Sequence, residues 1–356
     1  MSFIETKNVV IRGLAACVPE QVEENSGLPF YLYGEAEQVI KAIGIERRHI
    51  VPRYSGEITA TDLGTKAAIK LLEDLNWDKE SLDLVAFCTQ TPDYKNQPNS
   101  FIIHENLDLP QDVFCLDFYH GCTGWVASLA SVCSMMQTGS IKRCLLIVGD
   151  TVSPWQSLSN RESYPLFGDA VTVTALEYSP EAKPFLFNMG SLGKEGRALI
   201  SEDGGMRKPI TVDRLRYLLD LKAGKISFVE GDSKMDGMDV FAFAITKVPK
   251  AIKKLCQEHS IEIENIDKLV LHQANKLIVE NVAKRCKVPF EKVPNGLKDY
   301  GNTTSASIPM AMITECSDDL KSKPLRILAC GFGTGLSWGA VYFETEGVVV
   351  SEMQTI

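Results

Sequence analysis

The sequence predicts a layered α/β fold built from two copies of one unit. Short apolar runs of strand type alternate with segments of helical periodicity along most of the chain. The runs are apolar at nearly every position, as strands buried on both faces are. The order of elements in the first half then recurs in the second. Ala68-Ile-Lys-Leu-Leu, followed by Leu82-Asp-Leu-Val-Ala-Phe-Cys88, resembles Ala251-Ile-Lys-Lys-Leu, followed by Ile266-Asp-Lys-Leu-Val-Leu-His272. Asp83 and Asp267 lie 184 positions apart, and Gly121-Cys-Thr123 corresponds to Gly301-Asn-Thr303 at 180. The halves are expected to divide as 1–178, carrying a cysteine nucleophile, and 179–356, carrying a histidine and an asparagine.

Taken in order, Asn8 to Val18 is a strand with a glycine interruption, and residues 19–34 are loop-like in composition. Glu35 to Ile43 is a short helix stopped by Gly44. Arg47-Arg48-His49 is a basic cluster that reads as solvated surface, with contact to an anionic substrate as the alternative. Thr59 to Asn76 is a helix, because Ala68, Leu71, Leu72 and Leu75 fall at i, i+3, i+4 and i+7. Leu84 to Cys88 is a buried strand, and the prolines and asparagines of residues 91–100 make a loop. A helix, a strand at 113–118, a helix after Cys122 and a strand at 144–149 follow. Phe167-Gly-Asp-Ala170 turns into a strand at 171–178. The second half gives a helix at 240–259 with Pro249 inside it, a strand at 269–272, a helix at 274–286 and another opened by Tyr300-Gly-Asn302. A strand at 326–330, the turn Gly331-Phe-Gly-Thr-Gly335 and a strand at 339–344 close it. Gly190 to Met238 is irregular and reads as an excursion over the surface or the mouth of a site.

Bulk properties narrow the function. The 356 residues are 45% hydrophobic and 23% charged, an ordinary globular composition. A net charge of −9 argues against a nucleic-acid surface. The ten cysteines show no CxxC pair and no Cys/His cluster of zinc spacing, so no metal site is expected. The start of the chain does not read as a signal peptide, and no apolar run approaches the ~18 residues of a membrane span. The reducing cytoplasm is the expected compartment.

Cys122 sits between a strand and a helix, flanked by Gly121 and Gly124. At a helix N-terminus the dipole and unpaired N–H groups favour the thiolate. The duplication puts Cys122 and Asn302 at equivalent helix starts, and His272 at a strand end where Cys88 ends its twin. If the halves pack about a pseudo-twofold axis, Cys122 and Asn302 face each other and His272 enters beside them.

These residues resemble the thiolase-fold condensing enzymes, most closely the β-ketoacyl-acyl-carrier-protein synthase III family. The resemblance is carried by Gly121-Cys122-Thr-Gly124, His272-Gln-Ala-Asn275, Tyr300-Gly-Asn302-Thr-Thr-Ser-Ala-Ser-Ile-Pro309 and Gly331-Phe-Gly-Thr-Gly-Leu-Ser-Trp-Gly339. Weaker matches are Gly44 to Ile50, Phe167-Gly-Asp169 and Met235 to Phe241. It implies a dimeric five-layered αβαβα sandwich and a decarboxylating Claisen condensation through an acyl-Cys122 intermediate. It further implies that His272 and Asn302 stabilise the thioester oxyanion, with Cys122, Gly333 and Thr334 backbone as a second oxyanion site. Trp125, Phe332, Lys276 and Arg207 are the candidate substrate contacts. No cofactor is implied; acyl-CoA and malonyl-acyl-carrier protein are substrates, and the carrier protein is the expected partner. The family usually has an arginine, a tryptophan and a second arginine where this chain has Ala42, Gln38 and Leu277. The primer therefore arrives on another carrier, or other cations hold coenzyme A; Lys276, Arg47, Arg48 and Arg207 are the candidates for a basic docking rim. The alternatives are a relative that transfers acyl groups without decarboxylation and a Cys–His–Asn thioester hydrolase.

Overall fold

The computed structural model describes residues 2–29, 31, 35–53, 55–156, 160–202, 204–209 and 234–356. Residues 210–233, the middle of the expected excursion, lie outside the described residues. The first half runs through β1 (Ser2–Thr6), β2 (Val9–Val18), β3 (Val22–Glu24), α1 (Glu35–Ile43), β4 (Arg47–His49) and α2 (Ala60–Leu75). It continues through β5 (Leu84–Cys88), α3 (Asn99–Asn106), β6 (Phe114–Phe118), α4 (Gly124–Met136), β7 (Arg143–Asp150) and β8 (Ala170–Tyr178). The second half runs through β9 (Phe185–Ser191), β10 (Leu199–Ile200), β11 (Lys234–Met235), α5 (Gly237–Glu258), β12 (Lys268–Leu271) and α6 (Lys276–Cys286). It ends with α7 (Leu297–Tyr300), α8 (Ser307–Ser322), β13 (Leu325–Gly333), β14 (Ser337–Thr345), β15 (Val349–Val350) and β16 (Gln354–Thr355).

Two mixed sheets carry the fold. One has the order β15-β2-β8-β7-β5-β6, with β16 also against β2; the other is β1-β9-β14-β13-β12. The run β2-β8-β7-β5 has its counterpart in β9-β14-β13-β12: the last pair is parallel and the others antiparallel in both. The repeated aspartates do the same work in each copy. Asp83 accepts from the Arg143 N–H at 3.1 Å, and Asp267 from the Arg326 N–H at 2.7 Å, fastening equivalent strand starts. The chain ends cross over: β1 joins the second sheet at β9, while β15 and β16 lie against β2 in the first.

Side chains alternate between two interfaces along each central strand, the period-two rule of a pleated strand. Leu84, Ala86, Leu146 and Val148 face inward onto α4 and α8, whereas Val85, Phe87, Leu145 and Ile147 face outward onto α2 and α3. In the second sheet Ile327, Ala329, Val341 and Phe343 face α4 and α8, and Leu328, Cys330 and Ala340 face α5 and α6. The result is five layers: helices, sheet, central helices, sheet, helices. α4 is buried over most of its surface, Ser131 being its one exposed residue, which explains why it is largely apolar round its circumference. On the outer layer α2 is opened by a capping box of Thr59 and Asp62 and closed by Asn76 in the left-handed conformation.

Three local readings change. β3 pairs antiparallel with β4, within stretches read as loop and surface cluster. Arg48 of that cluster is 1% exposed, not solvated. It donates to Asn25 Oδ1 at 2.9 Å and to the carbonyls of Tyr164 and Phe167 at 2.9 and 3.1 Å, and pairs with Glu23. A buried charge survives only when so satisfied, and this one braces the loop before β8. β9, unremarked in sequence, is a central strand of the second sheet. α5 continues through Pro249.

Candidate active site

β6 delivers the chain to the turn 119–123, and the Gly124 N–H donates to the Gly121 carbonyl at 2.6 Å as α4 begins. Cys122 is 5% exposed and lines a cavity of about 310 Å³. Val152, Trp155, Phe167, Leu199 and Thr304 are among the other walls. The end of β13 passes directly behind the sulfur. Gly333 has φ 154°, and a Cβ there would stand 2.9 Å from Cys122 Sγ, so only glycine fits. The backbone N–H groups of Thr334 and of Cys122 approach the sulfur and draw its pKa down. Burial acts the other way and wins, pushing the thiol up to about 12. The resting group is therefore a thiol, not the thiolate that the helix terminus alone would favour.

His272 follows β12, and its N–H donates to the Cys330 carbonyl at 2.9 Å. Nδ1 lies 2.6 Å from Ser307 Oγ at the start of α8, and the ring stands edge-on to Phe332, with centroids 5.2 Å apart. Burial lowers its pKa to about 3, against an opposing contact with the Thr304 backbone. The imidazole is neutral at any ordinary pH.

Asn302 is held by its main chain, which donates to the Leu166 carbonyl at 2.8 Å and accepts from the Gly168 N–H at 3.1 Å. Its side chain is oriented by the Thr304 N–H, which donates to Oδ1 at 2.9 Å. That bond fixes which end is oxygen and leaves Nδ2 as a donor with no partner among the described residues. Asn302 precedes the short turn 304–306 that leads into α8, so it opens the helix from a little further back than a simple N-cap.

Thr304 ties these groups together. It lines the cavity with Cys122, meets the His272 ring through its backbone, and donates to Asn302. It is β-branched yet sits at φ 51°, a conformation that costs energy unless imposed by its surroundings. Its hydroxyl donates to the buried carboxylate of Asp150, at the end of β7. Asp150 also accepts from Thr89 Oγ1 at 2.8 Å, from the Gln90 N–H at 2.5 Å and from Ser305 Oγ at 3.2 Å. The Cys122 turn and the glycine-rich turn are likewise linked. Thr123 Oγ1 lies 2.8 Å from His120 Nδ1 and 3.0 Å from Ser337 Oγ, which donates to the Thr334 carbonyl.

Of the four expected substrate contacts, none is among the cavity-lining residues. Trp125 points into the central layer, its indole donating to Thr174 Oγ1 at 3.1 Å beside Phe343. It is fully buried in the core and so is directed away from the cavity that Cys122 lines. Phe332 backs His272 from the strand. Lys276 begins α6, its stem against Gly44 and its ammonium 3.9 Å from Glu280. Arg207 is exposed on a turn. Asp150, Thr304, Ser307 and Gln90 are the site residues that sequence reasoning passed over. Thr304 and Ser307 stood only inside a longer motif, and Asp150 was visible only as the polar end of an apolar run.

Two family models match the chain: residues 116–193 fit 3-oxoacyl-[acyl-carrier-protein] synthase III, and residues 256–345 fit its C-terminal part. A β-ketoacyl-[acyl-carrier-protein] synthase III of Prochlorococcus marinus is 32% identical over 94% of this chain and 95% of its own. That of Clostridium perfringens is 30% identical over 95% and 99%. Among solved structures, a 3-oxoacyl-(acyl-carrier protein) synthase of Burkholderia xenovorans LB400 superposes with a TM-score of 0.91 at 34% identity, covering 100% of this chain and 99% of that one.

The titration state of the sulfur is directly testable. Alkylation of the Cys122 peptide by iodoacetamide should rise about tenfold per pH unit from 6 to 9 without levelling. A plateau below pH 8, followed by peptide mass spectrometry, would show a stabilised thiolate instead.

Proposed function

The chain belongs to the 3-oxoacyl-[acyl-carrier-protein] synthase III family, and on that premise we propose how its residues divide the work. The enzyme is an acyltransferase that condenses an acyl thioester with malonyl-acyl-carrier protein, giving CO₂ and a 3-oxoacyl product, the opening reaction of fatty acid synthesis. Cys122 Sγ attacks the primer thioester. The new C–S bond forms as the carrier's sulfur leaves, and the thiol proton passes to that departing sulfur. The Cys122 and Thr334 N–H groups, already facing the sulfur, hold the tetrahedral oxyanion with Gly333 beneath it.

Malonyl thioester then loses CO₂, and the electron pair moves into its thioester carbonyl. His272 Nε2–H and Asn302 Nδ2 donate to that oxygen. For Nε2 to carry the proton, Nδ1 must accept from the Ser307 hydroxyl, which lies at 2.6 Å. The carbanion attacks the acyl carbon on Cys122, the C–S bond breaks, and the released thiolate takes a proton from solvent to restore the thiol. No cofactor takes part. The observation that carries this reading is that Thr304 connects cavity, imidazole and carboxamide, while adjacent residues Phe332 and Gly333 back the ring and the sulfur.

The acidic carrier protein docks on basic groups that include Lys276 and Arg207; Arg48 is removed from that role by its burial. The enzyme acts as a homodimer. β6 pairs only with β5 among the described strands, and its outer edge presents Phe114 and, just beyond, Tyr119, 52% and 79% exposed. An apolar strand edge without lysine or proline favours pairing with a second copy. Ten unpaired cysteines suit the cytoplasm, and no helix of the described residues is long and apolar enough to cross a membrane. The matched strand runs support residues 1–178 and 179–356 as two thiolase-like halves.

Intact-mass analysis should show acylation of the wild type and none of Cys122→Ala. His272→Ala and Asn302→Ala should acylate but lose condensation by a factor of about 10²–10³. Full condensation by Asn302→Ala would refute its role, and free acid as the only product would favour the hydrolase. Sedimentation should give twice the chain mass of 39.3 kDa, reduced to one chain by Phe114→Lys; a wild-type monomer would contradict the dimer.

A further inference from the structure

The walls beside Cys122 hold a polar feature that condensation itself does not use. Gln156 lines the cavity and is 5% exposed. Its main chain is fixed: the N–H donates to the Ser153 carbonyl at 3.1 Å, and its carbonyl accepts from Arg53. Its side-chain Oε1 is buried and accepts no hydrogen bond. Gln90 lines the same cavity from the end of β5. Its N–H is held by Asp150, but its carboxamide bonds to none of the described residues. That carboxamide leans over the residue before the nucleophile, since a Cβ on Gly121 would stand 2.9 Å from Gln90 Oε1. A buried amide oxygen without a partner, as in Gln156, is unfavourable and uncommon, and a bound ligand is one way to satisfy it; the Gln90 carboxamide is half-buried beside it in the cavity wall.

We propose that Gln90 and Gln156 form a subsite for a primer acyl group bearing a neutral hydroxyl. This rests on the condensing role and names the substrate class for it. With the Gln156 side chain turned toward the cavity, a hydroxyl supplies the donor that its Oε1 lacks and accepts from the Gln90 amide. The remaining walls are apolar or singly polar, and none of the described lining residues is charged, so a carboxylate or ammonium on the acyl chain would be desolvated without a counter-ion. The volume of about 310 Å³ is at the lower end for small-molecule sites and limits the acyl chain to a short one. A site built to hydrogen-bond a substrate hydroxyl discriminates strongly against the analogue lacking it, whereas a plain apolar pocket does not.

The test measures acylation of Cys122 by intact mass, offering pantetheine thioesters of butanoate, 3-hydroxybutanoate, 4-hydroxybutanoate and succinate to the full-length enzyme. One of the hydroxyacyl groups should load at least about tenfold faster than butanoyl, and succinyl should be slowest. Gln90→Leu and Gln156→Leu should each bring that ratio to within about twofold by slowing the hydroxyacyl group while sparing butanoyl. Should Gln156→Leu fail to fold, the wild-type ratio and Gln90→Leu still decide. Equal or faster loading of butanoyl by the wild type, or a ratio unmoved by Gln90→Leu, overturns the subsite and leaves the condensing role standing. Loading by none of the four, with acetyl and longer acyl thioesters also inert, removes the condensing role and the subsite with it.

Discussion

The site depends on one buried contact between the halves: the Asp150 carboxylate receiving the Thr304 hydroxyl. Asp150 ends a strand of the first half, and Thr304 lies just before a helix of the second. A carboxylate taken out of water is costly unless several donors meet it, and this one has Thr89, Gln90, Thr304 and Ser305. The same bonds hold Thr304 in a left-handed conformation that its branched side chain resists. From there its backbone reaches the imidazole and the Asn302 carboxamide, and the residue also lines the cavity. The position of one threonine thus sets the relation of groups brought in by three separate elements.

Burial then sets the charge state. Desolvation raises the Cys122 thiol to about 12 and lowers His272 to about 3, so each resting group is neutral. Two neutral groups suit a site that handles two thioesters in succession. A neutral imidazole donates one proton and keeps a lone pair, as oxyanion stabilisation requires; an imidazolium would lose the distinction between its nitrogens. The two backbone N–H groups at the sulfur are too few to offset desolvation of an anion. In the proposed reaction they receive the charge once it has moved to the acyl oxygen.

Much of this was legible in sequence because it is local or repeated. The apolar runs at 84–88 and 269–272 gave the strands. The paired aspartates, 184 positions apart, turned out to fasten equivalent strand starts. Cys122, His272 and Asn302 stand in an order of motifs that resembles one family, and the family relationship holds. What was not legible depends on distant partners. Arg48 looks like surface charge until Asn25, Tyr164 and Phe167 are seen around it. Trp125 looks like a pocket residue by proximity, but it packs in the core against Phe343 and Thr174. Phe185 to Ser191 lacks clean alternation because Asn188 is buried within it, donating to the Ala251 carbonyl at 2.8 Å. Asp150 and Gln90 are ordinary loop-edge residues until the second half of the chain closes over them.

A crystal structure of the enzyme acylated from a primer thioester tests the central claim most directly. The account predicts the acyl group on Cys122, its carbonyl oxygen within hydrogen-bonding distance of the Cys122 and Thr334 N–H groups, and His272 Nε2 and Asn302 Nδ2 converging on a neighbouring point. An acyl group on any other cysteine, or His272 and Asn302 directed away from the Cys122 cavity, would contradict it.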